Sequence, residues 1–506
     1  MVRVGLISIL LTMAASPVWC AEVVVSGGTI RGTELPDGST VFFGIPYAAP
    51  PTGSLRWRPP QPVVPWSGVR DATQPPRPCI QHDEGWNSKD ALAGQEDCLY
   101  LSIHAPKHPA NAHLPVIFWI HGGSNRAGSG YGYVDSAIHR YGVVLVALEY
   151  RLGVFGFLSS PELSAESAQH ASGNYAILDQ IAALEWVKHN IAVFGGDPDS
   201  VTVAGQSAGS FDVGMLLLSP LARGLFKQAI MESGTPGLAL PPRSLADNET
   251  TGVQLETALH LPGGADGLAG LRSEPAAALI APGDQLQPPG LPDPGVLWGQ
   301  AIVDGWVLPR APRAIFASGQ QAHVPLIIGN NTREFSLPGG DNAARAMING
   351  VFGTRAPDVL AGYGLTGASA PAPDPVLGDA ATQFVTDWVF RCPANDIARF
   401  QAQAGVPVWR YEFGVAALDA HGVVAHSAEL KYIFDPPPAG ATVRSWPPVQ
   451  EYWAQFAKTG NPNGAGLPRW PALGRHLEYL SFTPQGPEVG RDLRGAVCGK
   501  LSNHAP

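Results

Sequence analysis

Three runs, LPVIFWI (114–120), GVVLVALEY (142–150) and SVTVAG (200–205), are apolar almost without a break. A strand with one wet face alternates polar and apolar residues, so unbroken runs this short predict strands covered on both faces. Between the second and third, NYAILDQIAALEWVKHNIAVFGG carries Ile177, Ile181, Leu184 and Val187 near helical spacing, with Gly195-Gly196 as a stop. The unit reads strand, helix, strand. Further strands are predicted at 226–233, 324–330 and 406–413, and EVVVSGGTIRG predicts a hairpin turning at Gly27-Gly28. Strands alternating with helices predict the α/β class: a mostly parallel central sheet flanked by helices. Long Pro-, Gly- and Ala-rich insertions, such as 260–300 and 355–382, would lie over its carboxyl edge, where such folds bind ligands. Neither a linker nor an internal repeat interrupts residues 21–506, which are therefore read as one domain.

Charged residues make up 15% of the 506-residue chain, against about 25% in typical globular proteins, which argues against charge-driven disorder. The formal net charge of −10, with no long basic run, excludes the electrostatic footprint of a nucleic-acid binder and leaves small neutral or cationic ligands open. At the start, Arg3 precedes an apolar run from Val4 to Ala15 and small or compact residues near Cys20 and Ala21. That layout predicts a signal peptide over residues 1–20, cleaved near 20 or 21. The run falls short of the roughly 20 apolar residues that span a bilayer, so an exported protein, periplasmic or secreted, without stable membrane insertion is expected. Bulky Trp19 argues against lipid attachment at Cys20. Four cysteines remain, Cys79, Cys98, Cys392 and Cys498. Three pairings are possible in an oxidising compartment, and spacing favours Cys79 with Cys98 and Cys392 with Cys498. A zinc site has no Cys-x-x-Cys or nearby His pair to support it, and neither a metal nor a cofactor is needed.

The run at 200–205 leads into Gly205-Gln206-Ser207-Ala208-Gly209 and then an apolar helical stretch. Gly-x-Ser-x-Gly alone is a weak signal, because turns collect both residue types. Placed between a strand and a helix, however, it has the setting of a nucleophile elbow, a turn too tight for side chains beside the serine. Ser207 is thus the candidate nucleophile. A serine hydroxyl needs a base, and the base an orienting acid. It also needs backbone N–H groups for the oxyanion, from a glycine-rich loop after an earlier strand. WIHGGSNRAGSG supplies one: Gly123 and Ser124 are the candidate donors with Ala208 beside the candidate nucleophile, and Gly122 is a further candidate in the same loop.

These stretches resemble type-B carboxylesterases, the α/β-hydrolase family that also holds the cholinesterases. The resemblance is carried in order by FFGIPYAAPPTGSLRWRPP (42–60), EDCLYLSI (96–103), HGGS (121–124), YRLGVFGFL (150–158), GNYAILDQ (173–180), NIAVFGGDPDSVTVAGQSAG (190–209) and MESG (231–234). It implies the α/β-hydrolase fold, the same two disulfides, and a triad in the order serine, acid, histidine. IIGNNTREFSL resembles the family's acid segment and offers Glu334, although Phe335 stands where the family motif has Gly. Asp304 matches a structural stretch instead. Of the later histidines, His421, His426, His476 and His504, the segment AHSAELKYIF points to His426. The implied activity is hydrolysis of small-molecule carboxylic esters through an acyl-enzyme. Trp86 in the Cys79–Cys98 loop resembles the tryptophan that cholinesterases set against quaternary ammonium groups. Gln206, where cholinesterases carry glutamate, argues against a choline preference, and the aliphatic TPGLALPP segment favours neutral apolar or aromatic esters. Cholinesterase-like, amide-cleaving or acyl-transfer activity on the same triad, and a non-catalytic binding module of this fold, are the alternatives.

Overall fold

The apolar runs become neighbouring strands of one large sheet in the computed structural model, which describes residues 20–109, 112–291, 294–416, 422–442 and 446–502. The signal-peptide segment therefore lies outside the described residues, except that Cys20 opens the first strand; His421 and His504 also lie outside. In the first half of the chain the strands are β1 Cys20–Val25, β2 Gly28–Glu34, β3 Thr40–Pro46, β4 Val69–Asp71, β5 Tyr100–Ala105, β6 Leu114–Ile120, β7 Val144–Leu148, β8 Gly196–Gln206 and β9 Gln228–Glu232. In the second half they are β10 Arg243–Ser244, β11 Ile302–Val303, β12 Leu326–Asn331, β13 Val408–Phe413, β14 Glu478–Thr483 and β15 Gly486–Arg491. The main sheet runs β1-β2-β3-β5-β7-β6-β8-β9-β12-β13-β14-β15, with β4 beside β2, while β10 and β11 pair separately.

Its centre, from β7 through β14, is parallel throughout. Both flanks are antiparallel, β1 to β7 on one side and β14 with β15 on the other. The core explains the unbroken apolar runs. Val116, Phe118 and Ile120 of β6 pack into one buried cluster, whereas Ile117 and Trp119, pointing the other way, pack into a second. Both faces are dry, and each fully buried side chain of this size stabilises the fold by roughly 1.5–3 kcal/mol. The helix Tyr175–Asn190 connects the β7 and β8 regions and buries even Asp179, because Arg151 clamps that carboxylate with two hydrogen bonds of 2.7 and 2.8 Å.

The first hairpin turns one residue earlier than the glycine pair suggests. Val25 pairs with Gly28, so Ser26 and Gly27 form the loop, with Gly27 at φ +102. The glycines also make room for Trp66: a Cβ on Gly27 would lie 2.4 Å from its ring. Cys79 is bonded to Cys98 and Cys392 to Cys498. The second bond sits in a separate apolar cluster that joins the helix Gly495–Leu501 to Phe352, Val359 and Phe384. No helix among the described residues is long and apolar enough to cross a membrane.

Candidate active site

Strand β8 ends at Gln206 and the helix Ala208–Leu218 begins two residues later, leaving Ser207 at φ 56, ψ −123. That backbone conformation is costly for a residue with a side chain, by roughly 1–3 kcal/mol, and persists only where the surroundings enforce it. Here they do: Ser207 N donates to Glu232 O at 2.8 Å, and Ser207 O accepts from Phe211 N at 3.0 Å. The flanking glycines are required by close approach. A Cβ on Gly205 would lie 2.5 Å from the Gly209 carbonyl, and one on Gly209 would lie 2.0 Å from Ile120 O.

The loop after β12 carries Glu334, which is buried, and its carboxylate meets His426. The His426 Nδ1–H donates to Glu334 Oε2 at 2.6 Å, since a carboxylate oxygen can only accept. Glu334 is itself held on every side. Its Oε1 accepts from Asn331 N at 2.8 Å, its backbone N donates to Thr386 Oγ1 at 3.1 Å, and its carbonyl accepts from His426 N at 3.1 Å. Arg391, buried and paired with Asp387 and Glu412, donates to Thr332 O at 2.9 Å and so fixes the strand end from which Glu334 projects. The imidazole lies against Phe335 and Phe390, with ring centroids 4.2 and 5.4 Å away.

Ser207 and His426 line the same cleft, but the serine hydroxyl makes no hydrogen bond to any described residue. Gln206 Nε2 instead donates to His426 Nε2 at 3.3 Å. That amide occupies the imidazole nitrogen that faces away from Glu334. The geometry thus joins Glu334 directly to His426 and brings Ser207 to the same wall. His476 takes no part in this cleft, and Asp304 is tied up elsewhere, accepting from Asn174 Nδ2, Trp306 N and Leu308 N.

Two buried carboxyl groups near this cluster were not singled out from the sequence. Glu429 follows His426 by three residues and accepts from Asn331 Nδ2 at 2.7 Å; burial, and next the charge of Glu334, push it up to about 7. Glu232 accepts from Trp453 Nε1 at 2.7 Å and is pushed well above the usual carboxyl range, again first by burial and then by Glu429. The acidic residues of AHSAELKYIF and MESG were visible in the sequence, but nothing there placed them together.

After β6 the chain turns beside the elbow. A Cβ on Gly122 would lie 2.9 Å from the Ser207 Cβ, so this loop and the serine are in contact. Gly123 at φ 109 and Ser124 at φ 56 then reverse the backbone. The N–H groups of Gly122, Gly123 and Ser124 donate to no described residue, and that of Ala208 is a first-turn amide with no intrahelical partner.

Two lobes meet at Ser207. The larger, about 840 Å³, reaches outward past Asp90, Arg126 and Trp86, which is 67% exposed. The smaller, about 260 Å³, is lined by Phe211, Leu240, Val385, Val389 and Phe390 and is largely apolar. Ser124, Ser207, Gly295 and Phe335 line both lobes and form the waist between them.

The sequence pattern of the carboxylesterase family matches residues 20–350 and 369–499. Carboxylesterase 5A of Felis catus is 35% identical, the match covering 90% of this chain and 89% of that protein. Fumonisin B1 esterase of Sphingopyxis macrogoltabida is 36% identical over 92% of this chain and 86% of its own length. Among solved structures, a PNB esterase superposes with a TM-score of 0.78 at 30% identity, covering 95% of this chain and 99% of that one.

Proposed function

The chain belongs to the carboxylesterase family and is a carboxylic ester hydrolase; from that premise we propose that it cleaves esters through an acyl-enzyme on Ser207, with His426 as base and Glu334 as the orienting acid. The Ser207 oxygen attacks the ester carbonyl as His426 Nε2 takes its proton, once the Gln206 amide has yielded that nitrogen. The imidazolium keeps its Nδ1–H on Glu334, whose opposite charge stabilises it. Charge gathers on the carbonyl oxygen, where the backbone amides of Gly123, Ser124 and Ala208, assisted by Gly122, can receive it. His426 then returns the proton to the departing alkoxide, and water repeats the sequence on the acyl-enzyme. The 2.6 Å contact between Glu334 and His426, on the cleft that Ser207 lines, carries this reading.

Neutral apolar or aromatic esters are the proposed substrates, because the smaller lobe offers aliphatic and phenyl side chains. The chain is proposed to act after export as one domain over residues 21–506. Its two disulfides support the oxidising compartment. The test is hydrolysis of p-nitrophenyl butyrate, together with covalent labelling by a fluorophosphonate read as a mass increase. Both should vanish in Ser207→Ala, with activity falling by roughly 10⁴-fold or more. Unchanged labelling of that variant would place the nucleophile elsewhere.

A further inference from the structure

The candidate oxyanion donors come from two separate pieces of chain. Gly122, Gly123 and Ser124 belong to the loop after β6, while Ala208 opens the helix Ala208–Leu218. A tetrahedral oxyanion is stabilised only if both pieces keep a fixed spacing to within a fraction of an ångström. The β6–β8 ladder, which pairs Ile120 with Gly205, sets the spacing at the roots of the two pieces; beyond it, holding the loop against the helix takes a further contact that crosses between them.

One side-chain contact does. Asn125, the residue after Ser124, donates from Nδ2 to Asp212 Oδ1 at 3.2 Å. Asp212 lies four residues beyond Ala208 and therefore on the same face of the helix, one turn along. Both side chains are fully buried. Each is pinned from behind as well. Asp212 Oδ2 accepts from Gln180 Nε2 at 2.6 Å. Asn125 O accepts from Gly153 N at 2.6 Å, and its side-chain oxygen accepts from Tyr150 OH at 3.3 Å. Asn125 also holds φ 56, a left-handed conformation that asparagine tolerates better than most residues. A buried carboxyl group accepting from two amides is costly unless each partner is satisfied, and here both are.

We propose that Asn125 and Asp212 are positioning residues for the esterase reaction: their hydrogen bond ties the loop carrying the Gly123 and Ser124 amides to the helix carrying the Ala208 amide. This rests on the acyl-enzyme reading above, because neither residue touches the substrate.

The experiment compares Asn125→Gly, Asp212→Ala, their double variant and Asp212→Asn, each verified as folded by circular dichroism. Asn125→Gly removes the amide without straining the positive φ. The readouts are kcat and KM for p-nitrophenyl butyrate, and inhibition by a trifluoromethyl ketone, which forms a tetrahedral oxyanion adduct. The two single variants should lose kcat by on the order of 10- to 100-fold, with KM moving less than about threefold, and should bind the ketone more weakly in proportion to kcat/KM. The double variant should be about as slow as either single one, since both cut the same tie. Asp212→Asn should keep at least roughly a third of the activity, because its oxygen can still accept from Asn125 while Gln180, whose Oε1 has no partner, turns its amide over. Single variants within twofold of wild type, losses confined to KM, a double variant whose loss is the product of the singles, or an Asp212→Asn as slow as Asp212→Ala would each overturn the tie. Wild-type chain that neither turns over ester nor takes the fluorophosphonate would instead overturn the acyl-enzyme reading and the tie with it, so the two failures are distinct.

Discussion

Gln206 Nε2 sits 3.3 Å from His426 Nε2, the nitrogen the proposed base uses, and Gln206 is only 2% exposed. A neutral amide there donates a hydrogen bond to the ring but sets no charge beside it. Gln206→Glu would put a buried carboxylate beside the same nitrogen. The anion favours the imidazolium, so the ring would hold its proton to higher pH. The acid limb of the kcat/KM profile for a neutral ester is expected to move upward, by about one pH unit. A profile measured from pH 5 to 9 reads this directly. A limb that stays put or moves down would mean that residue 206 does not act on the imidazole.

Glu429 is fully buried and lies near Glu334 through their shared partner Asn331. Its proton is held to about 7, against 4.5 or so for an ordinary glutamate. Between those two values the folded chain binds more protons than the unfolded one, so stability falls as pH rises through that window. Glu429→Gln keeps the oxygen that accepts from Asn331 and removes the charge. The variant should match wild type in urea unfolding near pH 4.5 and gain on it steadily up to pH 7, by about 2–3 kcal/mol. A gain that is the same at every pH would show that the carboxyl does not titrate in this range.

Gly209 marks how closely the elbow packs on β6. The ideal Cβ position at this residue is 2.0 Å from Ile120 O, a backbone atom that cannot swing aside. Gly209→Ala must therefore push the helix Ala208–Leu218 off the sheet or displace Ser207. Esterase activity should fall by at least about 100-fold, with a loss of stability of more than 3 kcal/mol read by thermal unfolding. A fully active, equally stable Gly209→Ala chain would show that the elbow is looser than these distances.

How much of this was legible depended on what each segment packs against. Strands β6, β7 and β8 are covered on both faces, so their composition alone announces them. Strand β5 is just as buried, yet Ser102 and His104 interrupt its apolar run. His104 can be there because Ser39 Oγ and Val134 O satisfy both ring nitrogens, partners 65 and 30 residues away. Strands β14 and β15 form an antiparallel edge with a wet side, and their alternating residues do not stand out from loop sequence.

At the site the same contrast holds. Ser207 is legible because a strand, a glycine-flanked turn and a helix are contiguous there. Glu334 and His426 lie 92 residues apart, and family resemblance singled them out where spacing could not. Gln206 against His426, and Asn125 against Asp212, are pairs 220 and 87 residues apart with no motif around the second partner's role. Such contacts exist only once the sheet has brought β6, β8 and the later loops to one edge.

Phe335 stands at the waist of the cleft, 47% exposed although it is a large apolar residue, with its ring 4.2 Å from the His426 imidazole. It closes one side of the smaller lobe, whose volume of about 260 Å³ limits what can enter. Phe335→Ala would open that lobe toward the larger one and remove a ring from beside the base. The second effect slows every ester alike, so it cancels in a ratio of substrates. The ratio of kcat/KM for p-nitrophenyl octanoate over p-nitrophenyl acetate should therefore rise, by roughly 10-fold, since even one extra methylene in an apolar pocket is worth about 1–3 kcal/mol. If the acyl chain lay in the outer lobe instead, past Trp86, the ratio would not change, and the assignment of the smaller lobe to the acyl group would fail.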